Sequence, residues 1–281
     1  MNAHAAMRED RDIYRLAPSV DAAVLETIAA RLEFRGTDDT YARLSQAYFA
    51  LLPLGGVRRV LALGCGTGIE VRALRRVTSP GTLIVGVDHS AALLAIAGRL
   101  TGEEGLADNV TYEAADAHVL PYADGTFDIV TLHTMISHAE DPVGVLAEAG
   151  RVVRPGGTVA IFDGDYASLT FGYPDHAVAR TVEEKLIQLI VANPRIMRDM
   201  PRLLPDVGLE LVDAVGVLYA DIGSGSFWVG AAESYGGLLA RSGLLPAEVV
   251  EGWQAFQAHS AAQRTFFAAS NYYTYVTRRP G

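Results

Sequence analysis

One cysteine, Cys65, stands in 281 residues. A single thiol excludes an internal disulfide and any cysteine-cluster metal centre, and it fits the reducing cytoplasm. Cations are scarce as well: 23 Lys and Arg against 33 Asp and Glu give a formal net charge of −10, with no basic run. That balance disfavours a nucleic-acid partner, because gripping a phosphate backbone needs a concentrated positive surface. No uninterrupted apolar stretch reaches the roughly 20 residues that cross a bilayer. Residues 1–12 are polar and charged, whereas a secretory leader has an apolar centre. What is abundant is hydrophobic side chains, 50% of the chain, enough to bury a sizeable core at this length. The expectation is a globular cytoplasmic protein without a membrane span.

Periodicity organises the chain. Val20, Val24, Ile28 and Leu32 recur at helical spacing, as do Tyr41, Leu44, Tyr48 and Leu51 beyond Gly36-Thr37, which predicts two amphipathic helices. Strand-like runs then alternate with helical patterns. Ser90 reads as the N-cap of a helix with Leu93, Ala97 and Leu100 on one face. Asp141-Pro142 caps and starts another, with Leu146, Ala149 and Val153 inward, ending before Pro155-Gly156. Such alternation implies right-handed crossovers and a parallel sheet, with residues 158–163 as a further strand. Beyond Asp163 the pattern predicts helices over 175–193 and 195–204, the second interrupted at Pro201, and strands over 209–219 and 265–277. Between those strands lie two helical segments split near residues 243–246.

The most informative stretch is Val60-Leu61-Ala62-Leu63-Gly64-Cys65-Gly66-Thr67-Gly68. An apolar run that ends in alternate glycines and then turns helical reads as strand, tight turn and helix. Glycine is needed there because a Cβ would forbid both the turn's backbone and the close approach of a ligand. The helix start offers unpaired N–H groups to an anionic group. A second run, Leu83-Ile84-Val85-Gly86-Val87, delivers Asp88 at its carboxyl end, where an acidic side chain accepts both hydroxyls of a ribose. Together these features predict a nucleoside-binding site. A dinucleotide fingerprint, G-x-G-x-x-G, needs glycine at position 69, and the residue is Ile69. A nicotinamide-dependent oxidoreductase is therefore the weaker alternative.

The G-x-G-x-G pattern resembles the S-adenosylmethionine loop of class I methyltransferases, and further blocks follow in that family's order. Glu113-Ala114-Ala115-Asp116-Ala117-His118-Val119-Leu120-Pro121-Tyr122 resembles its adenine-binding segment. Phe127-Asp128-Ile129-Val130-Thr131-Leu132-His133 resembles its fourth strand, and Arg151-Val152-Val153-Arg154-Pro155-Gly156-Gly157-Thr158 the turn into its fifth. The likeness is close over residues 55–165 and is nearest to the small-molecule, ubiquinone and menaquinone C-methyltransferase type. It implies an α/β, Rossmann-like fold: a mainly parallel seven-stranded sheet, helices on both faces and helical lid elements. It also implies S-adenosylmethionine as cofactor, S-adenosylhomocysteine as product, and methyl transfer to oxygen, carbon or nitrogen of a small organic acceptor.

The same resemblance implies cofactor contacts from Gly64, Cys65, Gly66, Gly68, Asp88, His89, Asp116, Ala117 and His133. His133, at the end of the fourth strand, and His138, on the loop beyond, are the candidate catalytic bases. They lack a third ligand, so no metal site is expected. Residues 1–54 read as an N-terminal helical cap, and residues 55–281 as the core with a helical insertion at about 220–260. Tyr14, Tyr272, Tyr273 and Tyr275 are candidate pocket-lining tyrosines. Phe227, Trp228, Leu238, Leu239 and Trp253 suggest a partly hydrophobic, weakly charged acceptor. One departure stands out: the family's acidic residue two positions before the first glycine is Ala62 here, and the carboxylate that normally helps hold the cofactor's methionyl end is absent. Glu70 is near in sequence, but helix geometry is expected to aim it elsewhere. A repurposed fold that binds S-adenosylmethionine structurally while shaping another reaction, and a non-catalytic binding protein, are the remaining alternatives.

Overall fold

A computed structural model of the protein describes residues 22–281, with side chains from Leu25 onward. Residues 1–12, Tyr14, Val20 and the Val24 side chain lie outside the described residues. In chain order the elements are α1 (Ala22–Thr37), α2 (Asp39–Ala50), β1 (Arg59–Leu63), α3 (Ile69–Val77), β2 (Leu83–Asp88), α4 (Ala91–Glu103), β3 (Val110–Ala114) and β4 (Phe127–His133). There follow α5 (Pro142–Val152), β5 (Val153–Phe171), α6 (His176–Ile190), α7 (Ile196–Asp206), β6 (Glu210–Gly223), α8 (Phe227–Ser242), α9 (Ala247–Ala262) and β7 (Phe266–Arg278).

The strands form one seven-stranded sheet of order β3-β2-β1-β4-β5-β7-β6. The first five pair in parallel, and β7 runs antiparallel between β5 and β6. Side chains alternate across each strand. Val60, Ala62, Ile129, Ala160 and Phe162 therefore meet one apolar cluster, completed by α2, α3, α6, α8 and α9. Leu61, Leu63, Val130, Leu132, Val159 and Ile161 meet the other, covered by α5 and α7. A sheet buried on both faces accounts for the nearly unbroken apolar runs of β1 and β2. The helix starts follow the capping chemistry: the Ser90 hydroxyl accepts from Leu93 N, and the Asp141 carboxylate accepts from Val143 N ahead of Pro142.

Three expectations need correction. Val153, read as an inward residue of the helix begun at Pro142, has extended backbone and opens β5, where it pairs with Phe127. The strand read over 158–163 is longer, because β7 continues to pair with it through Thr170 and Phe171 after an irregularity past Asp165. The second helix after β5 is not interrupted at Pro201, which lies inside α7. Proline withholds the N–H that would reach the carbonyl four residues back. That carbonyl, on Met197, instead accepts from the Tyr275 hydroxyl at 2.7 Å.

Candidate active site

The turn after β1 is built on backbone that only glycine adopts easily: Gly64, Gly66 and Gly68 have φ of +64°, +50° and +81°. A Cβ on Gly64 would stand 2.6 Å from the Met135 Cβ, and one on Gly68 would strike the Tyr112 hydroxyl. The turn is tied to the end of β2. Cys65 N donates to Val87 O at 3.0 Å, and Gly66 N donates to Asp88 Oδ2 at 2.8 Å. The other Asp88 oxygen accepts from Ser90 N at 2.9 Å and lies 3.1 Å from His89 Nδ1. Asp88 is thus a buried carboxylate held by backbone on both oxygens.

Over this floor opens a crevice of about 400 Å³. Gly64, Cys65 and Gly66 line it from the turn, Asp88 and His89 from the end of β2 and the residue beyond, and Asp116 and Ala117 from beyond β3. His133 and His138 line its β4 side. Gly68 stands behind, as the N-cap of α3. Burial pushes the Cys65 thiol well up, so it is a packing group rather than a nucleophile. Asp116 is an exposed rim carboxylate, and bonds from the backbone and ring of His118 hold it below the usual aspartate range. Asp141 N donates to His118 Nε2, which leaves the ring proton on Nδ1, 2.6 Å from Asp116.

Strand alternation turns His133, like Ile129, toward the face covered by α2. There its ring is buried, with Nε2 2.6 Å from the Tyr41 hydroxyl and Phe162 edge-on at 4.7 Å. Its Nδ1 lies 3.5 Å from Glu70 Oε1, which also accepts from the Tyr48 hydroxyl at 3.1 Å. Glu70 therefore does not point away, as its helical position suggested; it lines the crevice, its Oε1 held by the Tyr48 hydroxyl of α2. The next residue, Thr134, is β-branched yet has a φ of +52°, a conformation that costs about 1–3 kcal/mol and persists where surroundings impose it. Its N–H donates to Phe162 O and its hydroxyl accepts from Arg35 at 2.9 Å. Tyr41, Arg35, Thr134 and Glu70 are site residues that sequence reasoning did not assign.

Residues 61–161 match the methyltransferase domain family. Over 273 residues the chain is 30% identical to an uncharacterised 37.1 kDa protein of a Streptomyces fradiae transposon, covering 96% of this chain and 77% of that one. It is also 31% identical to the ubiquinone biosynthesis O-methyltransferase of Thiobacillus denitrificans over 59% of this chain, and spans 70% of that relative's length. The chain belongs to the class I S-adenosylmethionine-dependent methyltransferases. The fold of this methyltransferase is shared by the geranyl diphosphate C-methyltransferase of Streptomyces coelicolor A3(2), solved with Mg2+, geranyl-S-thiolodiphosphate and S-adenosyl-L-homocysteine. The TM-score is 0.54 at 18% identity, covering 85% of this chain and 76% of that one.

A second, smaller cavity of about 40 Å³ adjoins the crevice of the methyltransferase, and Arg35 and His138 line both. Its wall is aromatic: Tyr166, Phe227, Trp228, Tyr235 and Tyr272. Of the residues read as facing the acceptor, Phe227, Trp228 and Leu238 line it, as does the candidate pocket tyrosine Tyr272. Leu239 and Trp253 do not; both are fully buried in the core, Trp253 edge-on to Phe171 at 5.2 Å. Tyr275 is engaged with Met197 O, and Tyr273 packs beside the opposite cluster. His138 rides on the short 3-10 turn Ile136–His138, which is fixed by Ser137 N donating to Asp163 Oδ2 at 3.0 Å. Burial pushes the Asp163 carboxyl above the usual range, against the opposing charge of His138. Among the described residues no group of three His, Cys, Asp or Glu is gathered to hold a metal ion.

Proposed function

We propose that this methyltransferase binds S-adenosylmethionine along the main crevice and methylates a small, partly hydrophobic acceptor seated at the aromatic cavity. The observation that carries this reading is the joint of glycine turn and buried Asp88: a turn whose backbone only glycine adopts easily, lining the same crevice as the carboxylate that ties it to the end of β2. The residues fit the cofactor. Asp88 accepts the ribose hydroxyls, with His89 alongside; Asp116 and the Ala117 N–H meet the adenine; Gly64, Cys65 and Gly66 face the methionyl side, with Gly68 shaping the turn and His133 closing it. When bound, the cofactor supplies an electrophilic sulfonium methyl group.

The chain's own contribution is alignment and exclusion of water. Leu32, Arg35 and Tyr41 from α1 and α2 cover one side of the crevice, and Phe227 and Trp228 from α8 close the acceptor side. We read residues 1–54 as a cap and the α8–α9 hairpin as an insertion serving that closure. His138, at the junction of the two cavities, is the group that takes a proton from an acidic acceptor. The Nε2 of His133 is occupied by Tyr41, so His133 serves to position Tyr41. The lone buried thiol of Cys65 favours residence in the cytoplasm.

The test is product analysis. The protein is incubated with methyl-labelled S-adenosylmethionine and a panel of phenols, enols, carbon acids and amines bearing apolar bodies. Formation of S-adenosylhomocysteine together with a labelled product is the expected result. Turnover of an acceptor without S-adenosylhomocysteine would overturn the reading in favour of a repurposed fold.

A further inference from the structure

Resting on the reading that the crevice holds S-adenosylmethionine, the buried polar atoms around the glycine turn point to one more contact. Three of them have no hydrogen-bond partner within the protein: Thr67 Oγ1, Glu70 Oε2 and His133 Nδ1. All three residues line the crevice. A buried carboxylate oxygen without a donor is costly, and native proteins rarely leave one so. Glu70 is 5% exposed. Its other oxygen is fixed by the Tyr48 hydroxyl and faces His133, so the carboxylate cannot swing away to find a partner elsewhere.

Position narrows what that oxygen receives. Following the sheet order β3-β2-β1-β4, the crevice presents Asp116 beyond β3, Asp88 at β2, and then Glu70 and His133 beside β1 and β4. A nucleoside held by Asp116 and Asp88 sends its 5′ substituent toward Glu70. In the cofactor that substituent ends in an amino acid, with one ammonium and one carboxylate. Strand β1 provides no acid for the ammonium, since position 62 is a fully buried alanine. We propose that Glu70 accepts the cofactor's α-ammonium group, replacing the acid missing at position 62, while the Thr67 hydroxyl donates to the neighbouring carboxylate. Glu70 stands in the first turn of the helix that follows the glycine turn, and the Tyr48 hydroxyl from α2 aims it.

Calorimetry with three ligands tests this on wild type and Glu70→Gln: S-adenosylhomocysteine, its analogue lacking only the α-amino group, and 5′-methylthioadenosine, which lacks the whole amino-acid end. Glutamine keeps the shape and an acceptor for Tyr48 but not the charge. Losing a charge-assisted bond should weaken S-adenosylhomocysteine roughly 10- to 100-fold in the variant. Binding of the deaminated analogue and of 5′-methylthioadenosine should stay within about twofold of wild type, since neither carries the ammonium. Equal weakening of all three ligands, or of none, overturns the role of Glu70. On wild type alone, a deaminated analogue that binds as tightly as S-adenosylhomocysteine overturns it too, whatever the variant's stability. Wild type that binds none of the three overturns the cofactor reading instead.

Discussion

Asp88 accepts one backbone N–H on each oxygen, from Gly66 and Ser90, and so holds the glycine turn against β2, with His89 beside one oxygen and the carboxylate lining the crevice. Removing it has a ligand cost and a scaffold cost. Asp88→Ala should weaken S-adenosylhomocysteine binding by about 1.5–3 kcal/mol, the scale for hydrogen bonds to a charged group. Calorimetry on a folded variant decides, and unchanged affinity would contradict the ribose assignment. His138 lines both cavities. His138→Gln should lower kcat by roughly 10²- to 10⁴-fold for an acidic acceptor and leave cofactor affinity unchanged. A parallel loss of cofactor affinity would make it a binding residue instead. The glycines, Asp88 and Asp116 were legible in the sequence because their constraints are local: a turn, a strand end, a loop. Tyr41 and Arg35 were not, since their partners His133 and Thr134 lie 92 and 99 residues away and are met only once α1 and α2 have docked.

At the scale of elements, one carboxylate fastens the N-terminal helices to the rest. Asp38 caps α2 by accepting from Thr40 N and Tyr41 N, each at 3.0 Å, and also accepts from the Tyr219 hydroxyl of β6 at 2.8 Å and the Ser226 hydroxyl ahead of α8. Burial alone would raise its pKa, but the bonds from Ser226, Tyr41, Tyr219 and Thr40 together outweigh it and hold the group below its ordinary 3.8. A depressed value means that the stabilisation is present above pH 3.8 and is lost as pH falls through the lower folded value. Asp38→Ala should cost about 2–4 kcal/mol at neutral pH, from the lost cap and the donors left buried. Denaturant melts across the acid range check this: the gap between wild type and variant should close on acidification, and a gap independent of pH would contradict the account. The cap at Asp38 was missed in the sequence. The run Gly36-Thr37 marked a break between helices, but only the fold brings Tyr219 and Ser226, far along the chain, to the same carboxylate.

For the whole molecule, the parallel half of the sheet could be read ahead of the structure because each strand and its helix are neighbours in sequence. The antiparallel end could not be read as well. The length of β5 depends on pairing with β7, a strand about a hundred residues later, and the continuity of α7 through Pro201 depends on Tyr275 in that same strand. Because both faces are covered, a defect on the face away from Tyr41 and His133 should act on stability alone. Ile161→Ala, fully buried among Leu132, Val145 and Leu146, should cost about 2–5 kcal/mol while the folded protein keeps its cofactor affinity. Thermal melts paired with calorimetry separate the two effects, and a matching loss of affinity would mean that the faces are coupled.

The most direct measurement is a crystal structure with S-adenosylhomocysteine bound. The account predicts the adenosine laid from Asp116 to Asp88, both ribose hydroxyls on the Asp88 carboxylate, and the amino-acid end over Gly64–Gly66 beside Glu70. A ligand bound elsewhere, or a ribose out of reach of Asp88, would contradict it.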